Sequence, residues 1–129
     1  MAATKEQERL RYAKKRKIDP RHRSQILISS ARKRAKQKDL PCDIDADWIH
    51  ERLLAGKCEV TGIPFKFDYP YSKTGQGQQR AFSPSLDRTD SSLGYTKENT
   101  KVVVWVYNGA KGVGTHEEVM ALAEALCRK

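Results

Sequence analysis

Apolar positions fall into short runs set between long polar stretches, and the densest of them is Val102 to Val106. A run of that length bounded by turn residues reads as a buried strand. A second apolar entry, Phe82 to Leu86, leads to Asp87, Arg88 and Asp90. A polar turn carrying Gly94 follows, then Asn99, then the valine run, then Asn108 and Lys111. Residues 82–112 are therefore predicted to form strand, turn, strand and helix.

The flanking pattern is helical. Residues 4–17 are good helix formers with little to bury, a helix marginal on its own, and Ile18-Asp19-Pro20 breaks it because proline cannot continue the ladder. Residues 21–38 form a better helix, with Ile26, Leu27, Ser30, Ala31 and Ala35 as a narrow stripe. Leu40 to Ile44 reads as extended. Asp45 is placed to cap a helix over 46–55 that buries Trp48, Ile49, Leu53 and Leu54, with Gly56 ending it. Residues 57–67 read as two short strands around a Thr61-Gly62 bend. Residues 68–81, rich in Gly and Gln without an aliphatic anchor, read as a mobile loop. Thr115 and Glu118 make a capping box for a last helix whose stripe is Val119, Leu122, Ala123 and Leu126. The fold class expected is α+β. Residues 1–20 read as a basic arm and 21–129 as a single domain.

Charge sharpens this picture. The chain has 129 residues and a formal net charge of +9. Residues 1–38 hold 14 basic and 3 acidic residues, a balance of +11, while the rest holds 11 and 13. A basic segment of this kind most often meets nucleic acid, because neutralising phosphates releases counterions. On the 21–38 helix, Arg32, Lys33, Arg34 and Lys36 are the residues placed to track phosphates; a solvated helix face is the plainer reading. Cys42, Cys58 and Cys127 form no CxxC pair and no even set, which argues against a disulfide framework and a cysteine zinc site. A reducing, cytoplasmic setting fits. No apolar run approaches the ~20 residues of a membrane span, and no secretory signal is visible.

Asp87 and Asn108 both offer oxygen ligands suited to a hard divalent cation such as magnesium. A carboxylate ending one strand and an amide on the following helix can converge on one ion, which would bind and polarise a phosphate. Lys111, one turn beyond Asn108, is placed to touch a phosphate. Asn99 can bond backbone groups across the turn. Taken singly, each of these residues also fits an Asx-rich turn with ordinary caps.

Three runs, Ser85-Leu-Asp-Arg-Thr-Asp90, Gly94-Tyr-Thr-Lys-Glu-Asn99 and Val103 to Lys111, resemble the HNH endonucleases, the ββα-metal or His-Me finger nucleases. They look most like the small phage and bacterial branch. Upstream, Ala31-Arg-Lys-Arg-Ala, Leu40-Pro-Cys-Asp-Ile and Gly56 to Phe65 look like the region such proteins carry before the finger, so the resemblance covers about residues 24–127. It implies a ββα-metal finger over 82–112, preceded by helices and followed by a C-terminal helix. It also implies a DNA endonuclease using one divalent cation, magnesium first and manganese second. Asp87 takes the metal role and Asn108 that of the last ligand. Asn99 takes the place of the middle asparagine that orients base and loop, and Lys111 that of the helix lysine.

The chain departs from this pattern twice. The general-base histidine is replaced by Arg88, which stays protonated at neutral pH and could instead bind phosphate or stabilise transition-state charge. The base is then His116, Asp90, another residue, or no protein group at all. The zinc pairs found in many relatives would be Cys58-Glu-Val-Thr61 and Val104-Trp-Val-Tyr107. With one cysteine in four positions no structural zinc is expected, and packing of Val104, Tyr107 and Phe65 should replace it.

Three functions are weighed on this basis. The first is a metal-dependent endonuclease acting on double-stranded DNA as a monomer or weak dimer, nicking one strand per site. The second is an HNH-fold DNA-binding protein impaired in catalysis. The third is an RNA- or ribosome-associated protein acting through residues 1–38 alone.

Overall fold

The computed structural model describes residues 4–9, 11, 19–69 and 80–128. Residues 5–9 and 11 are helical. The rest of the helix expected over 4–17, its break at Ile18, and residues 70–79 of the expected loop lie outside the described residues. After residues 5–9 and 11, among the described residues, four helices and a two-stranded sheet follow one another as α1 (Pro20–Gln37), α2 (Ala46–Ala55), β1 (Pro84–Arg88), β2 (Thr100–Val104), α3 (Trp105–Lys111) and α4 (His116–Cys127). The chain is an α+β protein, and its hairpin packs against α3 in a ββα arrangement.

Helix α1 starts where Asp19 accepts a hydrogen bond from Arg21 N at 3.0 Å, with Pro20 in the first turn, where its missing N–H costs nothing. Its buried face differs from the predicted one. Ser24, Ile28, Ala31 and Ala35 are buried, whereas Ile26 and Leu27 are half-buried and Ser30 is exposed. The reason is local: Ser24 Oγ donates to Arg21 O at 2.7 Å, so a satisfied hydroxyl can go inward. Ala31 and Ala35 are small enough to let α2 approach.

Helix α2 is framed as its sequence predicts. Asp45 accepts from Trp48 N at 2.8 Å, and Gly56 ends the helix at φ 82°, a left-handed conformation in which a side chain would be strained. Ile49 and Leu53, one turn apart, are buried, but Leu54 is 65% exposed because it lies about 100° further round the helix. The two strands expected over 57–67 reduce to one bridge, Lys57 to Pro64. Proline has no N–H with which to extend the ladder. A tight turn remains, closed by Cys58 N to Ile63 O at 2.8 Å and Gly62 N to Cys58 O at 2.9 Å.

The hairpin pairs β1 and β2 antiparallel, with Asp87 opposite Lys101 and Arg88 opposite Thr100. Strand alternation sends Val102 and Val103 to opposite faces. Val102 joins Ile28, Ala31, Ile44, Ile49, Leu53 and Leu86 in a core under α1 and α2. Val103 and Val104 join Cys58 and Tyr107 in a second cluster, with Phe65, Val60 and Val119 at its edge. Glu59 covers the outer edge of β2: its N–H donates to Val102 O at 3.0 Å and its Oε1 accepts from Val102 N at 2.8 Å.

Thr115 and Glu118 form the expected capping box of α4. The apolar stripe of that helix is not covered, contrary to expectation. Val119 reaches the second cluster, while Leu122 and Leu126 are 50% and 65% exposed. Only the start of α4 meets the finger, and the later turns run past the end of the core. Among the described residues no helix is long and apolar enough to cross a membrane.

Candidate functional site

The site is built where α3 lies along β1. Asn108 and Lys111, three residues apart on one helix face, bond to four successive residues of the strand. Asn108 Nδ2 donates to Ser85 Oγ at 2.7 Å and to Leu86 O at 3.0 Å. Lys111 Nζ donates to Asp87 Oδ1 at 3.0 Å and to Arg88 O at 2.8 Å. A carbonyl oxygen only accepts, so the amide nitrogen must face Leu86, and Asn108 Oδ1 is left without a donor among the described residues. Asp87 Oδ2 is likewise left over, because Lys111 uses Oδ1.

Asp87 and Asn108 line one cavity of about 240 Å³ together with Arg34, Arg88, Ser91 and Tyr95. Tyr95 is its pedestal. The residue is buried, and its backbone is fixed on both sides, by Tyr95 N to Pro41 O at 3.0 Å and Asp43 N to Tyr95 O at 3.1 Å. The guanidinium of Arg88 sits over its ring at 5.0 Å and donates to Leu93 O at 3.1 Å. From α1, Arg34 Nη1 reaches Tyr95 Oη at 3.5 Å. Two cations from distant parts of the chain thus flank one ring beside Asp87 and Asn108. Arg32, Lys33 and Lys36 are exposed on α1 and do not line this cavity.

The turn between the strands is held by one side chain. Asn99 Oδ1 accepts from Asp90 N at 2.9 Å, and its Nδ2 donates to Asp90 O at 3.0 Å and Gly94 O at 2.9 Å. Gly94 is required by close approach: a Cβ there would lie 2.1 Å from Pro41 O. Asp90 Oδ1 accepts from Ser92 Oγ at 2.6 Å and Ser92 N at 2.9 Å, and these bonds hold its carboxyl below the usual carboxylate range.

A second cavity, about 400 Å³, is lined by Asp87 and Lys111 together with Tyr107, His116, Thr115 and Glu117. His116 Nδ1 lies 3.0 Å from Tyr107 Oη. Burial, with Asp87 next, pushes the Tyr107 phenol up, so it stays protonated and neutral. Cys58 is buried in the second cluster. Burial pushes its thiol up, but bonds from Thr61 and from the backbone of Val104 and Val60 outweigh burial and bring it below its ordinary value.

No protein-family model, curated protein or solved structure matches this chain.

One carboxylate and one carboxamide oxygen are donors of the kind a hard divalent ion takes. No three His, Cys, Asp or Glu side chains come together as a metal group among the described residues. Asp87 and Asn108 can therefore supply one carboxylate and one carboxamide oxygen, and water and phosphate must supply the rest. That is the usual manner of magnesium, which keeps several waters and is bound through one or two carboxylates plus substrate phosphate.

The sequence-predicted residues are distributed as follows. Asp87, Arg88 and Asn108 meet at one cavity; Asn99 lies behind it and shapes the turn. Lys111 has its ammonium buried against Asp87, with 2% of its side chain exposed, so it faces a carboxylate in this structure and not open solvent. Sequence reasoning missed Tyr95, Ser85 and the place of Arg34. The one available signal was Tyr95 itself, an aromatic residue inside an otherwise polar turn.

Proposed function

We propose that this protein is a divalent-metal-dependent DNA endonuclease of the HNH type. The observation that carries this reading is the shared cavity: Asp87 and Asn108 each bring an oxygen that no described residue engages, and Arg34 and Arg88 flank them. One carboxylate, one carboxamide and two guanidiniums make a complementary setting for an ion and a phosphodiester. Lys111 and Asn108 fix α3 on β1 so that both oxygens are held in place before substrate arrives.

A magnesium ion held by Asp87 and Asn108 would supply Lewis-acid polarisation of the phosphate. Arg88 and Arg34 would take the nonbridging oxygens, and a guanidinium does this in a planar two-donor geometry. In hydrolysis a water oxygen bonds to phosphorus, one P–O ester bond breaks, the water proton passes to a base and the leaving oxygen is protonated from solvent. Arg88 cannot be that base, and the carboxylate of Asp90 is held by Ser92. His116, which shares a cavity with Asp87 and is oriented by Tyr107, is the residue we assign to it. One such site cuts one strand.

A second reading is a DNA-binding protein impaired in catalysis. It is favoured by the Asp87–Lys111 pair, which already neutralises the carboxylate expected to hold the metal. Relaxation of supercoiled plasmid in Mg²⁺, Mn²⁺ and EDTA separates the two, since the second reading allows salt-dependent binding and no nicking.

A further inference from the structure

A third cavity, about 220 Å³, adjoins the candidate site. It is lined by Ile26, Leu27, Pro84, Trp105 and Ser30, and it shares Arg34, Leu86 and Asn108 with the cavity of Asp87 and Arg88. The two adjoin at these three residues, in the groove between α1 and the finger. Their walls differ. Around Asp87 the groove is charged, and beyond Asn108 it mixes the apolar and aromatic surfaces of Ile26, Leu27, Pro84 and Trp105 with Arg23, Ser30 and Ser85. Trp105 is 36% exposed.

We infer that this groove takes one unpaired nucleotide of DNA, its phosphate between Arg34 and Arg88 and its base against Trp105. This deepens, and rests on, the nuclease reading of the same site. Charge complementarity commits the charged half to a phosphate. An aromatic face next to a phosphate subsite is the arrangement that holds unpaired bases, because every base offers a π-face to stack. A base inside a duplex is stacked on its neighbours and cannot enter a cavity beside its own phosphate without leaving the stack. The substrate class is thus DNA with an unpaired nucleotide at the bound position: a single strand, a flap or a branch. The exposed basic residues of α1, Arg32, Lys33 and Lys36, remain free to follow an adjoining backbone.

The test is binding, measured in EDTA so that cleavage plays no part. Fluorescence anisotropy compares a labelled duplex, the same duplex carrying a single-stranded flap, and the single strand, each with wild-type protein, Trp105→Ala and Trp105→Phe. The flap and the single strand should bind about 10-fold more tightly than the duplex, the size expected for one stacked base. Trp105→Ala should remove that preference without weakening duplex binding, and Trp105→Phe should keep most of it. In Trp48→Phe protein the remaining Trp105 emission should be quenched by single-stranded DNA and not by duplex, which tests the contact even if Trp105→Ala does not fold. Equal affinity for duplex and unpaired DNA, or a preference that survives Trp105→Ala, overturns this inference and leaves the nuclease reading standing. Absence of binding to any of the three DNAs overturns both.

Discussion

Lys111 Nζ lies 3.0 Å from Asp87 Oδ1, and the two side chains are 2% and 5% exposed. An ion pair this deep joins the last turn of α3 to the end of β1, the two elements that must hold Asp87 and Asn108 in register. Removing one partner leaves the other charge buried and alone. Lys111→Ala should therefore cost about 3–5 kcal/mol, whereas the paired replacement Asp87→Leu with Lys111→Met should be close to neutral. Urea unfolding of the two variants beside the wild type checks this. A small loss in Lys111→Ala would mean that water reaches the pair.

The turn carries a separate, pH-dependent stability. The hydroxyl and N–H of Ser92 stabilise the charged form of Asp90, so its folded pKa lies below the unfolded value. A group shifted in this direction contributes fully above its unfolded pKa, near pH ~4, and loses that contribution as pH falls through the folded value. Asp90→Ala should lower the melting temperature at neutral pH, and the gap from wild type should close under acid conditions. Asn99→Ala, which removes three bonds across the same turn, should cost about 2–3 kcal/mol. Its cost should not show the same closing in acid, because a carboxamide does not titrate. Thermal melts across pH separate the two variants.

His116 should be needed for cleavage and not for binding. If it takes the proton of the attacking water, His116→Ala should slow plasmid nicking by about 10²–10⁴-fold with DNA affinity unchanged. Tyr107→Phe keeps the packing of the second cluster and removes the hydroxyl that orients the imidazole, so it should give an intermediate loss. An unaltered rate in His116→Ala would take His116 out of the reaction.

Much of the finger is legible in the amino-acid sequence because each part has a local cause. The valine run gives β2 up to Val104, although Trp105 and Val106 pass into α3; Asp45 and Gly56 frame α2, and Thr115 with Glu118 starts α4. What stays hidden depends on partners far along the chain. The buried face of α1 is misread because Ser24 goes inward with its hydroxyl bonded to Arg21 O, which no apolar pattern reveals. Leu54, Leu122 and Leu126 look like core residues, yet Leu54 is turned away round α2 and the later turns of α4 run past the core. At the site, Asp87, Arg88, Asn99 and Asn108 stand out by type and spacing. Tyr95 does not, because its role comes from contacts with Arg34 on α1 and Arg88 on β1. Lys111 stands out as a cation, but its pairing with Asp87 appears only when α3 folds back along β1.

The most direct test of the account is nicking of supercoiled plasmid by purified protein in Mg²⁺, Mn²⁺ and EDTA, with Asp87→Asn and Asn108→Ala beside the wild type. Asp87→Asn keeps the shape of the side chain and removes its charge, and circular dichroism confirms that each variant is folded. The account predicts open-circular product with either metal, none in EDTA, and loss of product in both folded variants. Wild-type protein that binds the plasmid and never nicks it with either metal, or folded Asp87→Asn that nicks as fast as wild type, would contradict it.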